Sequence, residues 1–384
     1  MALTKNFGFG PDEQMVRDQA RKFLVDNFGI EKLRKLVAAD HEAAYGSDVQ
    51  PVAYDEQLWR QMLELGWTGL AVPEAAGGVG MSMIAVAALV EEAGRVALPS
   101  PLLSTLMATM VLIEADATPW LEHVAGGEPM TLACTNQAGS WEPDDTDVEA
   151  RADGDAVTLN GVVAFVQDAR KASAFLVSAK GPAGVGLYVV PADAAGLTIS
   201  PDRIVDLTRD QATLTLRGVT VPAAAVVASD GTGVRVLSAA TPRLLTIVAA
   251  DLCGAAEWQL QTTAEYAKVR VQFDHPIGFF QAVKHPIVDM MMAVDRAKSL
   301  MYAAACAIDR EPDDAARLAR MAKAAACEAA AYCSDRSVQL HGGIGFTWEC
   351  DVHLYFKRQK HGEALYGNAA HQRRKLAELI DAAA

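Results

Sequence analysis

Residues 339–346 read Gln-Leu-His-Gly-Gly-Ile-Gly-Phe, and this glycine cluster decides the fold assignment. It follows an alanine-rich stretch at 315–331, whose composition is typical of a helix. Glycine tolerates positive φ and lets a backbone approach a ligand or another chain closely. Taken alone, the cluster fits a plain helix end equally well, so its meaning depends on the segments around it.

Three further segments accompany the glycine cluster. Residues 270–285 read RVQFDHPIGFFQAVKH, and residues 65–74 read LGWTGLAVPE with more glycines soon after. Residues 366–368, Tyr-Gly-Asn, precede a Gln-Arg pair. Together they resemble the acyl-CoA dehydrogenases, whose patterns include R-x-x-F-G-x-x-I-x-x-x-Q-x-x-x-H and Q-x-x-G-G-x-G-F. Asp274 stands where glycine is usual in the first pattern, and the resemblance runs in order along essentially the whole chain.

The periodicity of the sequence changes twice, which predicts an α+β fold in three blocks. Helical spacing appears at 13–28, 54–65 and 81–90, and short β-prone runs at 156–159, 174–178, 186–190 and 212–216. A Glu-Pro-Asp-Asp break at 311–314 starts a helix in the third block. We expect an all-α N-terminal domain at 1–129, a central β-domain of hairpins at 130–227 and a C-terminal four-helix bundle at 228–384. This is the architecture of the family, whose members are usually tetramers.

Composition excludes some functions. The net charge is −14 and the pI is about 5.0, which argues against nucleic acid as a partner. The six cysteines form no CxxC pair, which favours reduced thiols and a cytoplasmic location. The chain shows no apolar signal core and no uninterrupted apolar run of about 18 residues, so we expect no membrane association. The metal-site motif HExxH and a GxGxxG turn are also absent, so we expect no metal and no Rossmann-type dinucleotide site.

The resemblance implies FAD as cofactor and assigns residues to its tail. Arg270 would pair with the pyrophosphate of a neighbouring subunit's FAD, because a guanidinium fork suits that anion. Gln281 and Gln339 would supply amide contacts, and Phe273 would pack on the adenine side. The backbone at Gly342, Gly343 and Gly345 would approach the cofactor closely.

The part of the sequence that should hold the flavin ring departs from the family pattern. The family's T-E-P-x-A-G-S-D segment is matched at Thr135 and at 138–140, but its Glu-Pro is absent. The family's W-I-T/S-N-G strand has Phe165 in place of tryptophan and Gln167 in place of the hydroxyl beside the flavin N5. Thr135 stays a candidate cofactor contact, and the Gln167 amide could still donate a hydrogen bond.

The catalytic base is missing from its usual place. Tyr366 occupies the position of the family's glutamate, and tyrosine, with a pKa near 10, is a poor base at neutral pH. Some family members carry the glutamate early in the first C-terminal helix, but residues 234–250 contain no acid. Asp251 lies further along and is interpreted as structural. Glu363 is an alternative base, although a surface role beside Lys360 is the simpler interpretation.

This combination resembles one subunit of the actinobacterial heteromeric (α2β2) acyl-CoA dehydrogenases, in which FAD lies only at the interfaces between unlike subunits. The implied partners are an acyl-CoA substrate, a paralogous subunit that brings the base, and an electron-transfer flavoprotein or similar acceptor. Fatty acid or steroid side-chain β-oxidation is the implied setting. Three alternatives stay open: a self-sufficient homotetramer using Glu363, a flavin monooxygenase of the same fold, and a non-catalytic interaction protein.

Overall fold

The N-terminal third is helical, as predicted. The structure is a computed structural model that describes residues 6–38, 46 and 51–383. Its first helices are α1 (Pro11–Asn27), α2 (Ile30–Ala38), α3 (Glu56–Glu64), α4 (Met83–Arg95), α5 (Leu102–Glu114) and α6 (Thr118–Ala125). The Ser82 hydroxyl caps α4 by accepting a hydrogen bond from the Ala85 amide, and α4 is then buried along its whole length.

Helix α4 continues past the apolar run that predicted it. The extra turn carries Glu91, Glu92 and Arg95, which are all buried. The Glu91 carboxylate binds the Lys298 ammonium at 2.7 Å, and Glu92 binds the Arg21 guanidinium at 2.7 Å. Charged residues are seldom buried unless they are paired. These ion pairs therefore explain why a charged segment forms part of a core helix.

The middle third is a β-domain. Its strands are β1 (Met130–Ala133), β2 (Val148–Asp153), β3 (Ala156–Gln167), β4 (Ala174–Gly181), β5 (Gly184–Pro191), β6 (Leu197–Pro201), β7 (Gln211–Pro222) and β8 (Val226–Ala228). The spatial order is β6-β7-β3-β2-β4-β5-β8, with β1 beside β4. The β4–β5 hairpin joins two of the predicted runs, and β2–β3 and β6–β7 form further hairpins. In contrast, β1 and β2 both run parallel to β4. The description of this domain as hairpins alone was wrong, because the β3–β4 connection crosses to the far side of β2.

The C-terminal part is helical. Its elements are α7 (Gly233–Val269), a two-stranded ribbon of β9 (Val271–Gln272) and β10 (His275–Pro276), α8 (Gln281–Arg310), α9 (Pro312–His341), α10 (Val352–Ala364) and α11 (Ala369–Ala383). Helices α7, α8 and α9 pack on one another, α10 packs on α7 and α9, and α11 packs on α9. Helix α9 begins with Pro312, as the break predicted, because proline suits the first position of a helix.

The proposed domain boundaries fall close to changes in structure. The first, at 129/130, coincides with the start of β1, whereas the second, at 227/228, falls inside β8. We now propose the second boundary between Ala228 and Gly233.

Among the described residues, only the helix Gly233–Val269 is long and apolar enough to cross a membrane. Since 72% of its most apolar window is buried inside the protein, it has the character of a core helix.

Helices α4 and α7 cross in close contact at two glycines. A Cβ on Gly254 would lie 1.9 Å from the Glu91 carbonyl oxygen, and one on Gly94 would lie 2.3 Å from that of Asp251. We expect Gly254→Ala to destabilise the protein by about 1–3 kcal/mol or more, because the backbones must separate. Thermal unfolding measures the loss. Gly29→Ala is the control, since a Cβ there meets nothing within 4 Å, and equal stability of both variants would contradict this packing.

Candidate active site

The loop between α10 and α11 places Tyr366 where the sequence predicts the missing base. Tyr366 has φ +56°, a strained value for a bulky residue. Gln372 Nε2 donates to the Tyr366 carbonyl at 2.5 Å. From beneath, the fully buried Lys323 Nζ donates to the carbonyls of Glu363 at 3.2 Å and Gly367 at 3.1 Å. The loop conformation is therefore fixed on both sides of Tyr366.

The ring of Tyr366 stacks on a tryptophan that sequence reasoning did not single out. The ring centroids of Trp141 and Tyr366 are 4.6 Å apart, with an angle of 32° between the planes. Burial raises the pKa of Tyr366 above its ordinary value. A phenol with a raised pKa stays protonated at neutral pH. Tyr366 therefore cannot act as the proton-abstracting base.

The carboxylates of Glu363 and Asp251, the two other acids considered, are engaged in hydrogen bonds and ion pairs within the protein. The Glu363 carboxylate accepts from Gln359 Nε2 at 2.8 Å and lies 3.6 Å from Lys360 Nζ. The buried Asp251 binds Arg358 Nη2 at 2.6 Å and Arg209 Nη2 at 2.8 Å. Burial alone would raise the pKa of Asp251, but the two guanidinium groups outweigh it and hold the pKa below its ordinary value. Asp251 therefore has the structural environment that we expected for it.

A small cavity of about 20 Å³ lies between α5, the β-domain and the loop that carries Tyr366. Its lining includes Leu103, Ser104, Met107, Leu132, Trp141, Phe165, Gln167, Asp168, Leu365 and Tyr366. Thr135 is buried near this edge of the domain, and its carbonyl accepts from the amide of Ala164, which precedes Phe165. The candidate ring-binding residues Thr135, Phe165 and Gln167 therefore come from one region.

Gln167 is committed to contacts within the protein. Its Nε2 donates to the Phe165 carbonyl at 2.9 Å and to Gln211 Oε1 at 3.0 Å. Its Oε1 lies 2.6 Å from His361 Nε2. Burial lowers the pKa of His361, so the neutral imidazole supplies the donor to this oxygen. Both amide hydrogens of Gln167 are thus engaged, and the conformation shown leaves neither for a flavin.

Asp168 is a buried carboxylate on the cavity wall that sequence reasoning did not select. Its Oδ2 accepts from the Ser104 hydroxyl at 2.9 Å, and its Oδ1 lies 2.9 Å from Lys171 Nζ. Both carboxylate oxygens of Asp168 are therefore engaged within the protein. No local pattern in the sequence indicates the contact with Ser104, which lies 64 residues away.

A second region, at the end of the helical bundle, brings together part of the predicted FAD-tail set. A groove of about 430 Å³ is lined by Tyr266, Arg270, Gln272, Ile277, Gln339, Leu340, His341, Gly342, Gly343 and Ile344. Gly342 has φ +66°, which favours glycine, and a Cβ on Gly343 would meet nothing within 4 Å. The groove therefore combines a cation, an amide and accessible backbone.

The remaining members of the set lie outside this lining. Gly345 is buried, and a Cβ there would lie 2.7 Å from the Val338 carbonyl oxygen, so packing alone requires this glycine. Phe273 is 85% exposed, and Gln281 is exposed at the start of α8. Val271 and Phe279, close to Arg270 in the chain, are exposed as well. Clustered exposed apolar side chains are typical of a surface that another chain covers.

Comparison with known proteins identifies the family of this chain. The model of the acyl-CoA dehydrogenase N-terminal domain matches residues 10–122, and that of the C-terminal domain matches residues 231–380. IpdE2 of Mycobacterium tuberculosis, an acyl-CoA dehydrogenase, is 33% identical over 368 residues, which cover 92% of each chain. This chain belongs to the acyl-CoA dehydrogenase family. IpdE2 of Mycolicibacterium smegmatis is 31% identical to this acyl-CoA dehydrogenase. The matched residues cover 90% of this chain and 97% of the relative.

Two solved structures superpose on this acyl-CoA dehydrogenase over nearly its whole length. A variant of the steroid ACAD Tcur3481–Tcur3483 superposes with a TM-score of 0.85 at 30% identity and covers 98% of this chain and 99% of its own. The ChsE4–ChsE5 complex of Mycobacterium tuberculosis superposes with a TM-score of 0.86 at 26% identity over 99% of both chains. The predicted fold class is thereby confirmed, and FAD is the cofactor of the family.

The two regions differ in their fit to FAD. The groove beside Arg270 fits the tail, since it offers a guanidinium for an anion and open backbone at Gly342 and Gly343. The cavity beside Tyr366 does not fit a flavin ring. Its volume of about 20 Å³ is far below the roughly 300–1,000 Å³ of ordinary cofactor pockets.

Proposed function

We propose that this chain is the base-lacking subunit of a heteromeric, FAD-dependent acyl-CoA dehydrogenase. It would contribute the groove around Arg270 and Gly343 to an active site whose base and ring-binding platform belong to a paralogous subunit. The observation that carries the proposal is the contrast between an open tail groove and a base position filled by the stacked Tyr366.

The chemistry divides between the two subunits. When bound, FAD supplies the hydride acceptor for α,β-dehydrogenation of a CoA thioester. Arg270 would neutralise the pyrophosphate charge, and Gln339 with the backbone at Gly342 and Gly343 would position the cofactor tail. The apolar face with Phe273 and Phe279 would seat the partner and keep water from the interface. The proton is removed by the partner's carboxylate, since Tyr366 stays protonated.

The relatives support a particular setting for the reaction. One similar structure is called a steroid ACAD, and another is a complex of two named chains, ChsE4 and ChsE5. We therefore propose a CoA thioester from steroid or fatty acid degradation as substrate, a second chain of the same family as partner, and an electron-transfer flavoprotein or similar acceptor. We also propose that the complex is located in the cytoplasm.

The self-sufficient homotetramer receives no support from Glu363, which would have to be the base. Its carboxylate is hydrogen-bonded to Gln359 and lies beside Lys360 on the same helix. The monooxygenase alternative would need a ring site in this chain, and the candidate ring-binding residues Phe165 and Gln167 line a cavity of only about 20 Å³. A pure interaction protein would have no use for the groove around Arg270.

We expect Arg270→Ala and Gln281→Ala to lower the FAD content of the assembled complex without unfolding it. A hydrogen bond to a charged group contributes about 1.5–3 kcal/mol, or roughly ten- to hundredfold in affinity. Flavin absorbance per mole of protein after gel filtration measures the effect. Lys268→Ala is the matched control, since Lys268 is an exposed cation at the same helix end and pairs with Glu265. Full flavin retention in both test variants would remove these assignments.

A further inference from the structure

Trp141 lies where three cavities meet. It lines the inner cavity of about 20 Å³, a channel of about 160 Å³ between α7, α9 and α11, and an open groove of about 780 Å³ on the surface. Tyr366 lines the inner cavity and the channel. The stacked pair therefore stands between the surface and the inner cavity.

The loop that carries Trp141 is anchored at both ends. The Ser140 amide donates to Asn136 Oδ1 at 2.9 Å, just before the tryptophan. Just after it, the Glu142 carboxylate binds Lys375 Nζ on α11 at 2.7 Å. Gln372, which also lies on α11, donates to the Tyr366 carbonyl. The loop of Trp141 and the loop of Tyr366 are therefore both held against α11.

The inner cavity has the lining of an acyl site but not the space. Leu103, Met107, Leu132 and Leu365 give it apolar walls. A volume of about 20 Å³ holds a water molecule or two, since one water needs roughly 10–15 Å³ by this measure. The side chains of tryptophan and tyrosine each bury roughly 150–250 Å², enough to take the place of a bound ring or chain.

We propose that Trp141 and Tyr366 form a plug that closes this chain's own acyl and flavin-ring cavity. The proposal deepens the proposed function and rests on it, because a subunit without a base gains nothing from a second substrate site. With the cavity beside Tyr366 closed by the plug, the groove beside Arg270 is the region of this chain that FAD can reach. Removing both rings should join the inner cavity to the channel.

Calorimetric titration of the full-length chain with octanoyl-CoA and with free CoA tests the plug. The association constant of octanoyl-CoA divided by that of free CoA reports whether the acyl chain enters an apolar cavity. For the wild type we expect a ratio near one. For Trp141→Ala/Tyr366→Gly we expect a rise of about tenfold or more, which corresponds to about 1.4 kcal/mol. Trp120→Ala is the matched control, a half-buried tryptophan outside the three cavities, and should leave the ratio unchanged.

Tyr366→Gly alone covers the case in which the double variant fails to fold. Glycine suits the φ of +56° at this position, so its backbone should lose strain, and the affinity ratio should still rise. A folded variant with an unchanged ratio, or a wild type with a high ratio, overturns the plug. Neither result decides the proposed function, which stands or falls on whether flavin retention in the complex depends on Arg270.

Discussion

The purified chain without a partner should show little or no dehydrogenation of any acyl-CoA with an artificial electron acceptor. Tyr366 fills the place of the base, burial keeps it protonated, and Glu363 and Asp251 are engaged elsewhere. A positioned general base contributes roughly 10²–10⁴-fold to a rate, so its absence should be plain. Steady-state reduction of a dye acceptor measures the result.

Variants separate this account from a self-sufficient enzyme. In a complex with a competent partner, Glu363→Gln should leave turnover unchanged, whereas replacing the partner's glutamate should abolish it. Tyr366→Glu should not restore activity to the chain alone, because Trp141 still fills the cavity and the Gln167 amide is engaged. Robust turnover by the homomer that disappears in Glu363→Gln would restore the self-sufficient enzyme.

Asp251→Asn should destabilise the protein by about 3–5 kcal/mol, because it leaves two buried guanidinium groups without their counter-charge. Arg358 is 2% exposed, and Asp251 bridges it to Arg209. Denaturant unfolding measures the loss. The network joins α7, α10 and the loop before β7, so its rupture should also loosen the support of the helix that precedes Tyr366.

Asp335→Asn is the matched control for this prediction. Asp335 pairs with Arg336 at the surface, where an ion pair contributes about 0–1 kcal/mol.

The pH dependence of stability gives a second check. Since the folded pKa of Asp251 is depressed, its stabilising contribution is present above the unfolded pKa and is lost as the pH falls through the folded value. The difference between wild type and Asp251→Asn should therefore shrink in acid, and equal costs for Asp251→Asn and Asp335→Asn would contradict the buried network.

Local sequence signals predicted much of the architecture. The apolar run at 81–90 and the Glu-Pro break at 311–312 located two helices, because burial and proline act within a few residues. The family resemblance implied a common FAD-tail site for Arg270, Gln339 and Gly342. All three line one groove, and their contact with FAD stays a prediction. Such features are readable because each depends on neighbouring residues or on a long family pattern.

Other features depend on contacts between distant segments, and these were missed. Lys323 donates to the Glu363 carbonyl, which is 40 residues away in the sequence. Trp141 contacts Tyr366, although the two residues lie in different domains of the chain. Neither side chain differs, in the sequence, from an ordinary surface lysine or core aromatic. The parallel pairing of β1 and β2 with β4 likewise depends on the path of the chain, which the alternation of residues does not encode.

The ratio of FAD to protein in the complex with the paralogous partner tests the central claim most directly. Visible absorbance of the denatured complex gives the flavin, and quantitative amino-acid analysis gives the two chains. The account predicts one FAD for each pair of unlike chains, no FAD on this chain alone, and a loss of flavin when Arg270 in this chain is replaced by alanine. One FAD for every chain, retained by the homomer, would contradict it.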